Sequence, residues 1–176
     1  QEYWAERQVK TFIARVHNVY GPNGTWDGGR EKAPAALSRK VIEAQDSGEL
    51  EINIWGDGNQ TRSFMYIDDC TKGIDMIMHC DDLIATPINL GSSELVSING
   101  LVSEIERIAG VELQRKYDLD APQGVAGRNS DNTFIKQVLD WEPDTPLSIG
   151  LEKTYTWIAD QHEDRKAGKP TPAGEH

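Results

Sequence analysis

The chain has 176 residues, 38% of them apolar, which is enough for one compact core and far from a disordered composition. Its 18 basic and 29 acidic side chains give a formal net charge of −11, which argues against a nucleic acid or an anionic membrane as the main partner. A local basic pocket for a small anion remains compatible with that balance, and no apolar run reaches membrane-spanning length.

Residues 1 to 8 read as the end of an amphipathic helix cut through its middle, and with no initiator Met the chain reads as a fragment. The apolar run Val9 to Val16 reads as a buried strand, broken at Gly21-Pro22, so the polar residues after it stand where α/β sheets place their ligands. A loop carrying Gly21, Gly24, Gly28 and Gly29 then delivers Arg30, Glu31 and Lys32 to a helix from about Glu31 to Ala44, which Asp46-Ser-Gly48 stops. Glu51 to Trp55 alternates polar and apolar and reads as a half-buried strand; Gly56-Asp-Gly58 turns it, and Arg62 to Ile67 is a second strand, its hairpin partner or its neighbour. Asp68 is the expected N-cap of a helix reaching about His79, with Cys70, Ile74, Ile77 and Met78 inward.

Pro87 to Leu90 is a short buried strand, after which Ser97 caps a helix from Ile98 to Ala109 that Gly110 ends. Leu101, Val102, Ile105 and Ile108 form its apolar face. A strand from Leu113 to Tyr117, a polar loop from Pro122 to Asp131 and a short helix from Thr133 to Leu139 follow. The last helix comes after Pro143 and Pro146, with Ile149, Leu151, Thr154, Tyr155 and Ile158 on its apolar face. Residues 165–176, rich in Lys, Gly and Pro, read as a disordered tail. Helices alternating with short strands give an α/β class, one domain over residues 1–164, with no internal repeat.

Arg62 opens a strand after a glycine turn, and Arg128 lies in a second glycine-containing loop; guanidinium groups there suit bidentate contact with a diphosphate, although a plain polar turn explains each equally well alone. Lys32 is the candidate for proton transfer, because an amine partly desolvated near other cations gives up its proton more readily; a lysine in a helix's first turn also opposes the helix dipole unless an anion or a reaction intermediate lies against it. The alternative is an ordinary surface lysine. His17 is either a cofactor contact or a structurally hydrogen-bonded histidine. Asp68-Asp69 fits a helix start better than a metal, and no zinc or calcium spacing occurs. Cys70 and Cys80 are too far apart for a Cys-x-x-Cys motif and have no neighbouring histidine, so they read as reduced, partly buried thiols of a cytoplasmic protein. No Gly-x-Gly-x-x-Gly, no P-loop and no tyrosine four positions before a lysine is present.

Five segments carry a resemblance: Arg15-Val-His-Asn-Val-Tyr-Gly-Pro22, Gly28-Gly-Arg-Glu-Lys-Ala-Pro-Ala-Ala36, Trp55-Gly-Asp-Gly-Asn-Gln-Thr-Arg-Ser-Phe64, Ile88-Asn-Leu-Gly-Ser92 and Gly127-Arg-Asn-Ser-Asp-Asn132. From about Phe12 to Ile158 they resemble the C-terminal half of the extended short-chain dehydrogenases/reductases, the NAD-dependent nucleotide-sugar epimerases and dehydratases. The resemblance implies an α/β, Rossmann-like, substrate-binding part that begins with the last piece of a Rossmann domain at residues 1–30 and lacks the N-terminal NAD-binding strands. It further implies a sugar oxidised at C4 by NAD, epimerised beside the ketone and reduced again.

In that scheme Lys32 is the general acid that reprotonates the sugar carbon. Asn18, Glu31, Ala33, Lys40, Gln60, Thr61, Arg62 and Arg128 line the nucleotide-sugar site, both arginines and Lys40 meet its phosphates or base, and His17 lies near the nicotinamide. GDP-mannose or a similar nucleotide sugar is the implied ligand. The family's glycine-rich NAD turn, its Tyr-x-x-x-Lys pair and its cysteine base have no counterpart in this sequence. The chain alone is therefore expected neither to turn over nor to hold NAD. The alternatives are 4-epimerisation or 4,6-dehydration of another nucleotide sugar, or a non-catalytic binding module. An apolar strand face without its neighbour is also expected to drive homodimer formation or strand swapping.

Overall fold

The computed structural model describes residues 2–122 and 124–171. Helix α1 (Glu2–Arg7) precedes strand β1 (Ile13–Val16), which pairs in parallel with β6 (Pro87–Leu90) from Ile13 opposite Pro87 to Val16 opposite Leu90. At His17 and Asn18 the chain changes partners. The His17 N–H still donates to the Leu90 carbonyl at 2.9 Å, but the Asn18 carbonyl already accepts from Met65 at 2.8 Å, and β2 (Val19–Tyr20) runs parallel to β5 (Met65–Tyr66). The sheet therefore splits at these two residues, and such a divergence of parallel strands leaves a crevice at their carboxyl ends.

The expected strand from Val9 is shorter than its apolar run. Regular pairing begins only at Ile13, and Val9 and Val16 are 49% and 45% exposed. A parallel strand is buried throughout only when other elements cover both its faces, and among the described residues β1 pairs with β6 alone at the margin of its sheet.

Helix α2 (Ala33–Ser47) starts two residues later than expected, with Pro34 in its first turn and Gly48 closing it at φ 73°. Strand β3 (Glu51–Trp55) forms no hairpin with the next strand. It pairs in parallel with β8 (Gln114–Asp118), while β4 (Thr61–Arg62) lies between β7 (Val96–Ser97) and β9 (Gly127–Arg128). The short β9 falls inside the stretch expected to be irregular loop, and its register sets Arg62 opposite Arg128.

Helix α3 (Ile67–Met78) is preceded by Tyr66 at its N-cap, two residues before the expected Asp68, so Asp68 and Asp69 stand in its first turn, where acids favour the dipole. Its buried face is Asp69, Cys70, Gly73 and Ile77; Ile74 and Met78, expected inward, are 38% and 58% exposed. Asp69 is buried because its carboxylate accepts from the Thr145 N–H at 2.9 Å. A 3₁₀ turn at Asp81–Leu83 leads into β6.

Helix α4 (Ile98–Ala109) matches its sequence reading: Ser97 Oγ accepts from the Gly100 N–H at 3.0 Å, Gly110 closes it, and Leu101, Val102 and Ile105 are fully buried. Each such side chain contributes on the order of 1.5–3 kcal/mol. Helix α5 (Thr133–Leu139) follows, and α6 (Leu147–Lys166) leaves Ile149 exposed while burying Leu151, Thr154 and Ile158. It runs into the stretch expected to be a disordered tail, through Arg165 and Lys166; residues 172–176 of that stretch lie outside the described residues.

Among the described residues three apolar clusters result. The largest joins β3, α2, α4 and α6; a second joins β5 and β6 with α3 and α5; a small third gathers Trp26, Ala35, Ile42 and Ile158 under the glycine loop.

Candidate functional site

Two cavities open at the divergence of the strands. The first, about 620 Å³, is lined by Arg15, Val16, His17, Asn18, Val19, Lys32, Arg128 and Asn129. Three of these are cations and none is an acid. The second, about 540 Å³, holds Glu31, Lys32, Ala33, Arg39 and Lys40 from the α2 start and Asn53, Trp55, Gln60, Arg62 and Phe64 from the strands. Asn18 and Lys32 belong to both walls, so they mark the boundary between the two spaces.

The sequence-predicted residues are thus brought together from four separated segments. His17 and Arg128 face the first cavity; Glu31, Ala33, Lys40, Gln60 and Arg62 face the second; Asn18 and Lys32 face both. Thr61 lies outside both walls, in β4, where its N–H donates to the Ala126 carbonyl at 2.9 Å. Close packing aligns the first wall: a Cβ on Gly91 would stand 2.7 Å from the His17 Cβ and 3.0 Å from the Ser130 Cβ, so the strand end can approach His17 only as glycine.

Lys32 is the residue before α2, extended at φ −78° and ψ 158°, and its side chain makes no cap hydrogen bond. Among the described residues no carboxylate lies within salt-bridge distance of Lys32, Arg15 or Arg128. A cation at the positive end of a helix, without a protein counter-ion, is matched to an anion supplied from elsewhere. Arg62 donates to the Thr61 carbonyl at 2.7 Å and Asn18 Nδ2 to the Ser63 carbonyl at 3.3 Å, which fix both against the second cavity. Lys40 Nζ donates to the Asn53 carbonyl at 3.3 Å; burial, then the charge of Arg39, push its ammonium below the usual lysine range, against the pull of Glu31 and Glu43.

Arg39, which sequence grouped with the basic residues of the loop, does not add a free cation to the cavity. It is bound to Glu31, Glu43 and the Trp26 carbonyl. Gln60 Oε1 is buried in the same wall and makes no hydrogen bond; burial pushes the Glu31 carboxyl up, but the Glu31 N–H, Arg39 and the Gly29 N–H outweigh it and hold it below the usual range, with Oε2 short of a partner at full hydrogen-bond geometry. Buried acceptors without donors favour a ligand that carries hydroxyl or N–H groups.

The residues missed by sequence are Trp55, Phe64, Asn53, Arg15 and Asn129. Trp55 is 60% exposed although it lies in a cavity wall. The signal was available, since strict alternation in Glu51 to Trp55 puts a tryptophan on the face shared with Glu51 and Asn53. Cys70 is buried, which pushes its thiol up and away from the reactive thiolate, and Cys80 lies just beyond α3.

The family model described as the NAD dependent epimerase/dehydratase family matches residues 1–91. The chain belongs to this family. Among the relatives of this epimerase/dehydratase chain, GDP-mannose 3,5-epimerase 1 of Oryza sativa subsp. indica is 44% identical over 166 residues, covering 94% of the chain and 42% of the relative. GDP-mannose 3,5-epimerase of Arabidopsis thaliana is 46% identical over 159 residues, 90% of the chain and 40% of the relative. The chain thus spans about two fifths of the length of these curated relatives.

Its fold matches half of the solved UDP-glucose 4-epimerase of Thermotoga maritima with UDP-glucose, at TM-score 0.78 and 25% identity over 96% of this chain and 50% of that one. UDP-glucuronic acid 4-epimerase of Bacillus cereus in complex with UDP-glucuronic acid and NAD matches at TM-score 0.72 and 29% identity, covering 90% and 48%. The α/β, Rossmann-like epimerase fold expected from the sequence is confirmed, and no helix of the described residues is long and apolar enough to cross a membrane.

Proposed function

We propose that this chain is the substrate-binding part of an NAD-dependent nucleotide-sugar epimerase, and that its nucleotide sugar is GDP-mannose. The observation that carries the reading is the sharing of Lys32 and Asn18 between two cavities, with Arg128 in one and Arg62 in the other. In this reading the sugar lies at that boundary, where Lys32 delivers a proton to a carbon acidified by a neighbouring carbonyl. The phosphates face Arg62 and Arg128, and the half-exposed indole of Trp55, beside Lys40, offers a stacking surface to the base.

NAD would supply the hydride acceptor that creates the carbonyl. In an intact enzyme, Arg15 and His17 of the first cavity would face the cofactor, with His17 at its nicotinamide end. The names of the GDP-mannose relatives, at 44% and 46% identity, favour a guanine nucleotide over the pyrimidine nucleotides named for less similar relatives.

The reading is tested by titrating GDP-mannose into the chain while following tryptophan fluorescence and heat. Arg62→Gln and Arg128→Gln should each weaken binding about tenfold, and Trp55→Leu should remove the fluorescence change. Equal affinity in both arginine variants and the parent would sink the proposal. Product analysis on an intact enzyme carrying these residues separates 3,5-epimerisation from inversion at C4 alone.

A further inference from the structure

The loop between β2 and α2 is held firmly at one point. Trp26 is fully buried against Ala35, Ile42 and Ile158, and Arg165 of α6 stacks on its ring at 4.1 Å while donating to Asp27 Oδ2 at 2.7 Å. Beyond that anchor the chain passes through Gly28 and Gly29 at φ 90° and 83°, where no heavy atom would meet an added Cβ within 4 Å. This stretch has no packing of its own, yet Glu31 and Lys32 follow it directly.

What fixes its far end is Arg39, together with the Glu31 and Gly29 N–H groups that face the Glu31 carboxylate. The Arg39 side chain is 17% exposed, and its guanidinium donates to both carboxylate oxygens of Glu43 at 3.0 Å, to Glu31 Oε1 at 3.0 Å and to the Trp26 carbonyl at 3.3 Å, with Asp27 Oδ1 at 3.5 Å. One planar fork therefore joins the anchored end of the loop, the end that enters α2, and the next turn of that helix. The Glu31 side chain is only 6% exposed and lines the second cavity; the Glu31 and Gly29 N–H groups also lie against its carboxylate, while Oε2 has no partner at full hydrogen-bond geometry.

We infer that Arg39 is a positioning residue: through Glu31 Oε1 it aims Glu31 Oε2 at the ligand and keeps Lys32 at the boundary of the two cavities, an inference that for its ligand contact rests on the nucleotide-sugar reading above. Arg39 takes no phosphate itself, because its donors are directed at Glu31, Glu43 and the loop backbone. An ion-pair cluster that merely stabilises α2 would show the same contacts but would act on affinity independently of Glu31.

Hydrogen exchange and a double-mutant cycle separate the two. In Arg39→Gln the amides from Gly28 to Lys32 should exchange about tenfold faster while those of α4 keep the parent rate, and unchanged loop exchange overturns the inference whether or not a ligand binds. For GDP-mannose, Arg39→Gln and Glu31→Gln should each weaken binding about tenfold, with the double variant no weaker than the worse single one. Effects that multiply in the double variant overturn the inference. Arg39→Lys keeps the charge but not the fork, and should stay within a few-fold of Arg39→Gln; full recovery would overturn it as well. A parent chain that binds no GDP-mannose removes the nucleotide-sugar reading, and the exchange rates alone then decide whether Arg39 holds the loop.

Discussion

Lys32 stands where helix stability is poorly served. The residue before α2 is extended and its side chain caps nothing, so the first N–H groups of the helix lack the acceptor that Ser, Thr, Asp or Asn would bring. Lys32→Ser should therefore stabilise the fold by about 0.5–1 kcal/mol in urea unfolding, while abolishing turnover in an intact enzyme that uses this lysine. Lower stability in that variant would mean that Lys32 has a structural partner after all. Sequence found Lys32 by this same conflict with the dipole, and found Arg62 and Arg128 by their glycine neighbours. It could not find Arg39 as a clamp, since a basic residue seven positions into a helix has no visible partner until Asp27, Glu31 and Glu43 are folded around it.

At the level of elements, the glycine loop is tied to α6 by charge. The Arg165 hydrogen bond, then the Gly28 N–H and the charge of Arg39, hold the Asp27 carboxyl below the usual range against the opposing effect of partial burial. A carboxyl with a lowered folded-state value adds stability that is present above the unfolded value and lost as pH falls through the folded one. Asp27→Asn should consequently unfold more easily than the parent near neutrality, with the gap closing as pH drops from about 4 downward. A gap that persists in acid would assign the effect to packing. Element types followed from periodicity where the partner was local, as in α4 with its Ser97 cap. Boundaries shifted where a distant partner intervened: Asp68 is no cap because the chain enters α3 straight from β5, and Asp69 turns instead to Thr145.

For the whole molecule the open edge of β1 is the main liability. Its outer side has no strand among the described residues, and Val9, Val16, Ile74 and Met78 expose apolar surface. The chain should self-associate in sedimentation at roughly tens of micromolar, and Val16→Lys, which places a charge at the end of the open strand, should shift it towards monomer. A monodisperse parent chain would count against this edge as an association surface. Sequence alone determined the α/β class, the limits of α4 and α5, the glycine turns and the cast of basic residues, because these depend on spacings of a few positions. Only the tertiary structure decided that Lys32 and Asn18 stand between two cavities, that β4 pairs with β7 and β9 and not with β3, and that Arg39 is bound away. Those outcomes turn on contacts between residues tens of positions apart, whose closure depends on competing partners that no local pattern encodes.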